Sequence, residues 1–294
     1  MPLRLLDVPG CPRCHGALAC VPDAPDSTGD VRTGTLRCAA RRRVLLALFL
    51  AALVFAMSAP AVAQRARLTV YAAADLAFAL KEIAAAFERT NGVDVTLVLG
   101  STGNLAHQIE HGAPADVFFA ANVAFIDRLI ERGAVLRETR AIYAQGRIVL
   151  ATAKRAGTKL TDLRQLTEPR VRRVAIANPL HAPYGKAAEE ALQRVGVLDA
   201  VRPKLILAEN IRQALQFIQT GSADAGLVAL SVADVPEIEW VAIDPALHTP
   251  LNQAAAVVRR SAHPELANAF VKFVIGPEGR PMMKRFGFIL PGEL

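Results

Sequence analysis

The sequence predicts an α/β protein of two lobes with a ligand cleft between them. From residue 67 onward, apolar runs of strand length alternate with segments of helical periodicity, which is typical of sheets covered by helices. The alternation forms two groups without a low-complexity linker, and a last strand and two helices return to complete the first group. We therefore expect lobe 1 to comprise residues 67–146 plus about 248–294, and lobe 2 residues 147–247.

The first group opens with an apolar strand at 68–73. Apolar residues at positions 76, 80, 83, 84 and 87 then follow with helical spacing, which predicts a helix over Leu76–Phe87. The elements that come next are a strand at Val93–Leu99, a helix at Leu105–His111, a strand at Asp116–Ala120 and a helix at Val123–Arg132. A helix between successive strands is the usual crossover of parallel strands, so the alternation predicts parallel sheets.

The second group repeats this pattern. Its predicted elements are strands at Arg147–Ala153, Arg173–Ala177, Lys204–Leu207 and Ala225–Val228, and helices at Gly185–Val195 and Ile211–Thr220. A strand at Ala254–Arg259 and helices at Pro264–Ile275 and Pro277–Phe286 close the chain. Ligands of open α/β sheets bind beyond the carboxyl ends of the strands, and two lobes can close over them by a hinge.

The segment before residue 64 has the features of an export signal. Arg41-Arg42-Arg43 precedes the 14-residue apolar run Val44–Met57, and Ala61-Val62-Ala63 is an A-x-A cleavage site. A membrane-spanning helix needs about 20 apolar residues. Residues 41–63 are therefore predicted to be a signal peptide that is cleaved before Gln64 and directs the protein to the periplasm.

Residues 1–40 leave two interpretations open. All four cysteines of the chain (Cys11, Cys14, Cys20 and Cys38) lie here, and Cys11-x-x-Cys14 could be half of a zinc ribbon. A complete site needs a second close pair of ligands, which Cys20 and Cys38 do not form. We expect this segment to be an extension that precedes the true start of the protein.

The charge pattern argues against a nucleic-acid partner. Lys and Arg number 34 against 27 Asp and Glu, a net charge of +7. The signs are mixed along the chain, and no basic run exceeds pairs such as Arg172-Arg173 and Arg259-Arg260 after the predicted signal peptide. This pattern is typical of a solvated surface.

Four stretches place the start of a helix directly after a strand: AAADLAFAL (72–80), LGSTGNLAHQI (99–109), ANPLHAPYGKAAEEAL (177–192) and AENIRQAL (208–215). The first turn of a helix has unpaired N–H groups and the positive end of the helix dipole. Each stretch taken alone is also explained by helix capping. Several such turns that converge on one cleft would form an anion site without lysine or arginine.

The same stretches resemble the periplasmic molybdate-binding proteins of ABC importers. The shared segments are AAADL, GSTGNLAHQIEHGAPADVFFAA, IYAQGRIVLA, ANPLHAPYGKAAEEAL, AENIRQALQFIQTGSADAGLVALS and GPEGRPMMKRFGFILP, and they span roughly residues 67–294. The resemblance implies a type II periplasmic-binding-protein fold and a molybdate or tungstate dianion as ligand. It also implies an ABC permease in the inner membrane as partner. We expect a monomer that has no cofactor, no direct cation site and no enzymatic activity.

The resemblance further implies which residues contact the oxyanion. One hydroxyl position falls on Asp75, where the family often has serine, and a second falls on Thr102 with Ser101 beside it. Backbone amide donors fall at Tyr184 and Ile211.

Two departures from the family pattern affect this site. A carboxylate at Asp75 would repel a dianion, so we expect it to turn aside and cap the helix Leu76–Phe87. The family's cleft tyrosine is often found at the position of Ala229, and we expect the hydroxyl of Tyr184 to replace it.

Two alternative functions follow from other patterns. His107-Gln-Ile-Glu110-His111 matches H-x-x-E-H, so a zinc metallohydrolase that uses His107, Glu110 and His111 is one alternative. A receptor for another tetrahedral oxyanion, such as sulfate or phosphate, is the other. The proton of phosphate needs an acceptor, which Asp75 could supply.

Overall fold

The computed structural model describes residues 18–22, 34–38, 65–157 and 159–293. Two compact units divide the chain, residues 1–64 and residues 65–294. In the first unit, strand β1 (Leu18–Pro22) pairs antiparallel with β2 (Gly34–Cys38). The predicted signal peptide at 41–63 and the Cys11–Cys14 half of the possible zinc site lie outside the described residues.

The second unit alternates strands and helices. In chain order its elements are β3 (Arg67–Ala73), α1 (Ala77–Asn91), β4 (Asp94–Gly100), α2 (Thr102–Glu110), β5 (Val117–Ala120), α3 (Val123–Glu131), β6 (Ala141–Gly146), β7 (Ile148–Ala153), β8 (Val174–Ala177), α4 (Pro183–Val195), α5 (Leu198–Val201), β9 (Leu205–Ala208), α6 (Ile211–Thr220), β10 (Ala225–Ala229), α7 (Leu230–Ala233), β11 (Ile238–Ala242), β12 (Leu251–Val257), α8 (Pro264–Ile275) and α9 (Gly279–Arg285). Short 3-10 turns lie between several of them, and the turn Ala74–Leu76 between β3 and α1 is the one that concerns the site.

Two five-stranded sheets organise these elements. The first has the strand order β4-β3-β5-β12-β6, and the second has the order β11-β7-β10-β8-β9. The chain passes from the first sheet to the second between β6 and β7, and it returns between β11 and β12. The α/β architecture predicted from the alternation is confirmed.

The prediction of parallel sheets is wrong for part of each sheet. β3 pairs parallel with β4 and β5, and β8 pairs parallel with β9 and β10, as expected for strands joined by helices. β12 runs antiparallel to β5 and β6, and β7 runs antiparallel to β10 and β11. β7 and β12 are the strands at which the chain enters a sheet after leaving the other one. No crossover helix joins them to a preceding strand of the same sheet, so nothing requires them to run parallel to it.

The strands of the second unit are buried because helices cover the sheets. β5, β7, β8 and β10 are buried along their whole length. On α1 the buried positions recur with the helical period, and the ring of Phe87 packs edge-on against those of Phe270 and Phe273 at 5.0 and 5.3 Å between centroids. Gly92 then ends the helix with φ 65°, a conformation that glycine adopts without strain.

Helix starts follow the local capping rules. The side chain of Asn122 accepts a hydrogen bond from the second amide of α3, that of Asn210 accepts from the second and third amides of α6, and Pro183 occupies the first position of α4. Between residues 65 and 293, no helix combines the length and the apolar character that crossing a bilayer requires.

Candidate functional site

The turn between β3 and α1 joins the two sheets through Asp75. Its Oδ2 accepts hydrogen bonds from the Tyr184 hydroxyl at 2.9 Å and from Gln253 Nε2 at 2.8 Å. Its backbone oxygen accepts from Ser231 Oγ at 2.8 Å. Tyr184 is the second residue of α4, Ser231 lies on α7 and Gln253 lies on β12, so the fold brings together residues that are distant in the sequence.

The expectation that Asp75 caps the following helix is wrong. No side chain caps α1 or the turn Ala74–Leu76. The carboxylate points instead to Tyr184 and Gln253, two buried side-chain donors that both hydrogen-bond to its Oδ2.

Burial makes Asp75 an unusual carboxylate. The residue is 1% exposed, and desolvation raises its pKa from 3.8 to about 6, against the lowering effect of the bonds from Gln253 and Tyr184. Among the described residues, Oδ1 is buried without a hydrogen-bond partner, and so is Oε1 of Gln253. Protein interiors rarely leave such acceptor atoms unpaired.

The Tyr184 hydroxyl is fixed between Asp75 and Gln253. It donates its one hydrogen to Asp75 Oδ2 and accepts from Gln253 Nε2 at 3.0 Å. Burial raises its pKa well above 10, so it stays neutral. Gly146 makes room for it, because a Cβ at that position would collide with the hydroxyl oxygen. The role of this hydroxyl as a donor to the ligand stays a prediction. In this structure its hydrogen is donated to Asp75 Oδ2.

Ser101 and Thr102 lie where β4 turns into α2. Ser101 Oγ accepts from Asn104 N at 3.4 Å, as an N-cap does, and forms a 2.8 Å hydrogen bond with His181 Nδ1. Thr102 Oγ1 accepts from Ala121 N at 3.1 Å. The hydroxyl hydrogen of Thr102 is therefore available to an incoming acceptor.

A second contact between the elements of the first sheet and those of the second lies next to Ser101 and Thr102. Gly103 N donates to the backbone oxygen of His181 at 2.8 Å. A Cβ at Gly103 would lie 2.7 Å from that oxygen, so only glycine allows the approach. The loop that leads into α4 is thus tied to the start of α2.

The start of α6 leaves one amide free. Asn210 Oδ1 accepts from Arg212 N and Gln213 N at 3.0 and 3.1 Å. Ile211 N is the first amide of the helix and has no acceptor within it. The helix packs against the turn Ala74–Leu76, and the Arg212 guanidinium lies 4.5 Å from the centre of the Phe78 ring.

The structure links several of the predicted site residues between the first sheet and the second, whereas Thr102 hydrogen-bonds to Ala121, which follows β5 of the first sheet. Asp75 bonds to Tyr184, Ser101 bonds to the loop that precedes Tyr184, and the helix of Ile211 packs on the turn of Asp75. Among the described residues, no lysine or arginine side chain hydrogen-bonds to any of the five predicted contact residues.

Sequence reasoning missed Gln253 and Ser231. The signal for Gln253 was a polar side chain in the apolar strand LNQAAAV, since a glutamine that is 0% exposed needs partners of its own. Ser231 follows Ala229 by two residues and offered no pattern from which its bond to Asp75 could be inferred.

The H-x-x-E-H segment has a different environment. His107 and His111 are exposed and stack with ring centres 4.2 Å apart. Glu110 Oε1 lies 2.9 Å from Nε of Arg128 on α3 and 3.6 Å from Nε of Arg132, the residue that follows α3. Within residues 65–293 no three His, Cys, Asp or Glu side chains group as metal ligands. The carboxylate of the motif is thus directed to arginines.

Comparisons with known proteins identify relatives of the second unit. A family model described as bacterial extracellular solute-binding protein matches residues 68–289. The molybdate-binding protein ModA of Escherichia coli is 34% identical over 246 residues, which cover 82% of this chain and 95% of the relative. ModA of Rhodobacter capsulatus is 33% identical over 240 residues, covering 81% and 93%.

Solved structures extend the comparison to the fold. The periplasmic molybdate-binding protein of Azotobacter vinelandii superposes with a TM-score of 0.71 at 30% identity, covering 76% of this chain and 99% of that one. This match confirms the predicted type II binding-protein fold.

Proposed function

The chain belongs to the bacterial extracellular solute-binding proteins, and from this premise we propose that it captures molybdate or tungstate and delivers it to an ABC import permease. The relatives that are named for molybdate binding align with nearly their whole length. The observation that supports the proposal is that helix starts of the two sheets are in contact, through the hydrogen bonds of Asp75 with Tyr184 and of Ser101 with His181.

The donors that the proposal assigns to the oxyanion are amides and hydroxyls. They are the backbone amide of Asp75, the hydroxyls of Ser101 and Thr102, and the backbone amides of Tyr184 and Ile211. A hydrogen bond to a charged group contributes about 1.5–3 kcal/mol. About five of them are enough for a dissociation constant at or below micromolar.

The proposal also concerns location and partners. The predicted signal peptide at 41–63 and the family of the second unit both support a periplasmic protein. It would act as a monomer, without cofactor or nucleic acid. It would have no reaction of its own, because closure of the two halves on the ligand is the event that a permease recognises.

The ion pairs of Glu110 disfavour the zinc-hydrolase alternative. A zinc peptidase with this motif needs the glutamate as a free general base and the two histidines as ligands. Glu110 is instead paired with Arg128 and Arg132.

Calorimetric titration of the full chain with molybdate, tungstate, sulfate and phosphate tests the proposal. We expect molybdate to bind with a dissociation constant at or below micromolar and sulfate to bind far more weakly. Donors spaced for the longer bonds of molybdate lie too far from the oxygens of sulfate. Equal affinity for sulfate, or no binding of molybdate at any pH, would contradict the proposal.

A further inference from the structure

The Asp75 carboxylate is an acceptor in a cleft that is proposed to hold an anion. We propose that the cleft binds its oxyanion together with one proton, which lies between Asp75 Oδ1 and an oxygen of the anion. This inference rests on the proposed function and specifies its ligand as an oxyanion with an accompanying proton.

The hydrogen bonds of Asp75 leave one place for this proton. Oδ2 already accepts from the Tyr184 hydroxyl and from Gln253 Nε2, and the backbone oxygen accepts from Ser231. Oδ1 has no partner in the described part of the chain, although it is buried. A proton on Oδ1 would turn it from an unpaired acceptor into a donor, which is what an oxyanion requires.

The carboxylate cannot leave the site easily. Two buried donors hold Oδ2, and the residue is 1% exposed, so its charge has no route to water without the loss of both bonds. A dianion beside an ionised carboxylate in a dry site is strongly unfavourable, and the group neutralises by taking a proton.

In the described part of the chain, no positively charged group is among those that shift the pKa of Asp75. The titratable groups that interact with it are the hydroxyls of Tyr184 from α4 and Tyr143 from β6, both neutral because burial raises their pKa. From α6, Arg212 is directed over the Phe78 ring. His181 lies one contact away, where its Nδ1 forms a hydrogen bond with Ser101 Oγ.

The proton comes from solvent. Above pH 6 the empty cleft has an ionised Asp75, since the pKa of this group is about 6. Binding then takes up close to one proton per anion, and the complex carries the charge of the dianion alone. Below pH 6 the proton is already on Asp75 and the uptake falls towards zero.

Calorimetry of molybdate binding between pH 5.5 and 8.5, in buffers of different ionisation enthalpy, tests this inference with the full chain. We expect the dissociation constant to rise about tenfold per pH unit above pH 7 and to level off near pH 6. At pH 8 we expect an uptake of about one proton per molybdate.

Two variants assign the proton to its residue. Asp75→Asn keeps the shape of the side chain and cannot titrate, so its affinity should not depend on pH. His181→Asn should keep the pH dependence, because the titrating group is still present. Gln253→Met removes a bond that lowers the pKa of Asp75, so the levelling-off should move to higher pH; this variant decides the question if Asp75→Asn does not fold.

The outcomes separate the two proposals. Molybdate binding without proton uptake by the unmodified chain would overturn the inference and leave the proposed function intact. Equal uptake by the unmodified chain and Asp75→Asn, or loss of uptake in His181→Asn alone, would also overturn it. Absence of molybdate binding at every pH would instead refute the proposed function.

Discussion

Two groups of polar residues, each of which could form a functional site, differ in their spacing along the sequence and in their burial. His107, Glu110 and His111 are neighbours in the sequence at the C-terminal end of α2, where the two histidines are exposed and Glu110 pairs with arginines. Asp75, Tyr184 and Gln253 are separated by as many as 178 positions, yet they form one buried hydrogen-bonded cluster.

The difference lies in what burial does to polar groups. Exposed histidines can hydrogen-bond to water instead of to protein groups at little cost in free energy. The rest of the fold therefore does not have to supply partners for them. A buried carboxylate with one unpaired oxygen has given up its hydration, which stable folds rarely allow without a functional reason. Four measurements test whether the two groups differ in this way.

The largest expected effect is the pH dependence of stability that Asp75 causes. Its pKa is about 6 in the folded chain, against an ordinary value of 3.8, so the folded state holds the proton more tightly. The contribution of Asp75 to stability is therefore fully present below its ordinary pKa, and it falls by about 3 kcal/mol as the pH rises through 6 and beyond. Asp75→Asn should be more stable than the parent by a similar amount in urea unfolding at pH 8, and should lose this advantage near pH 4. Equal stability at pH 8 would show that the carboxylate is not desolvated.

The second effect concerns the free amide at the start of α6. Ile211→Pro removes the N–H at the first helical position, which tolerates proline, and should weaken molybdate binding by about 1.5–3 kcal/mol. Ile211→Ala keeps the amide and loses the same side-chain packing, so it serves as the control. Titration of both variants gives the comparison, and equal affinities would remove this amide from the site.

A smaller effect should distinguish two buried tyrosines. Tyr184→Phe removes a donor to a carboxylate and should lower the free energy of unfolding at pH 8 by about 2 kcal/mol. Tyr143 donates to the backbone oxygen of Ala120 at 3.2 Å, a neutral bond, so Tyr143→Phe should cost about 1 kcal/mol. Tyr184→Phe should also raise the pKa of Asp75, whereas Tyr143→Phe should not. Similar losses with no change in that pKa would argue against the charge-assisted bond.

The smallest effect is expected on the exposed helix. Replacement of both His107 and His111 by alanine should change stability and molybdate affinity by less than about 0.5 kcal/mol, as is usual for surface positions. Peptidase assays with and without a chelator should show no metal-dependent turnover in the parent chain. Metal-dependent peptidase activity that is present in the parent chain and lost in the double variant would instead identify His107, Glu110 and His111 as the functional group.

The elements of the fold were largely predictable from local patterns. Helices Ile211–Thr220 and Pro264–Ile275 have the predicted bounds, because their apolar spacing is regular and their ends carry strong signals. α2 begins at Thr102 rather than Leu105, since Ser101 caps it earlier than the first apolar residue suggests. The direction of β7 and β12 was not predictable, because strand pairing depends on how the chain crosses between the sheets.

Local sequence patterns are enough to show where a helix begins directly after a strand, with unpaired amides in its first turn. They therefore predict a site that binds an anion without lysine or arginine. They also locate Asp75, Ser101, Thr102, Tyr184 and Ile211 in the segments that contain these helix starts. Only the tertiary structure decided that Asp75 turns to Tyr184 and Gln253 instead of to its own helix. The physical reason is that capping is a local interaction between near neighbours in the chain, whereas the desolvation of a carboxylate depends on every element that packs around it.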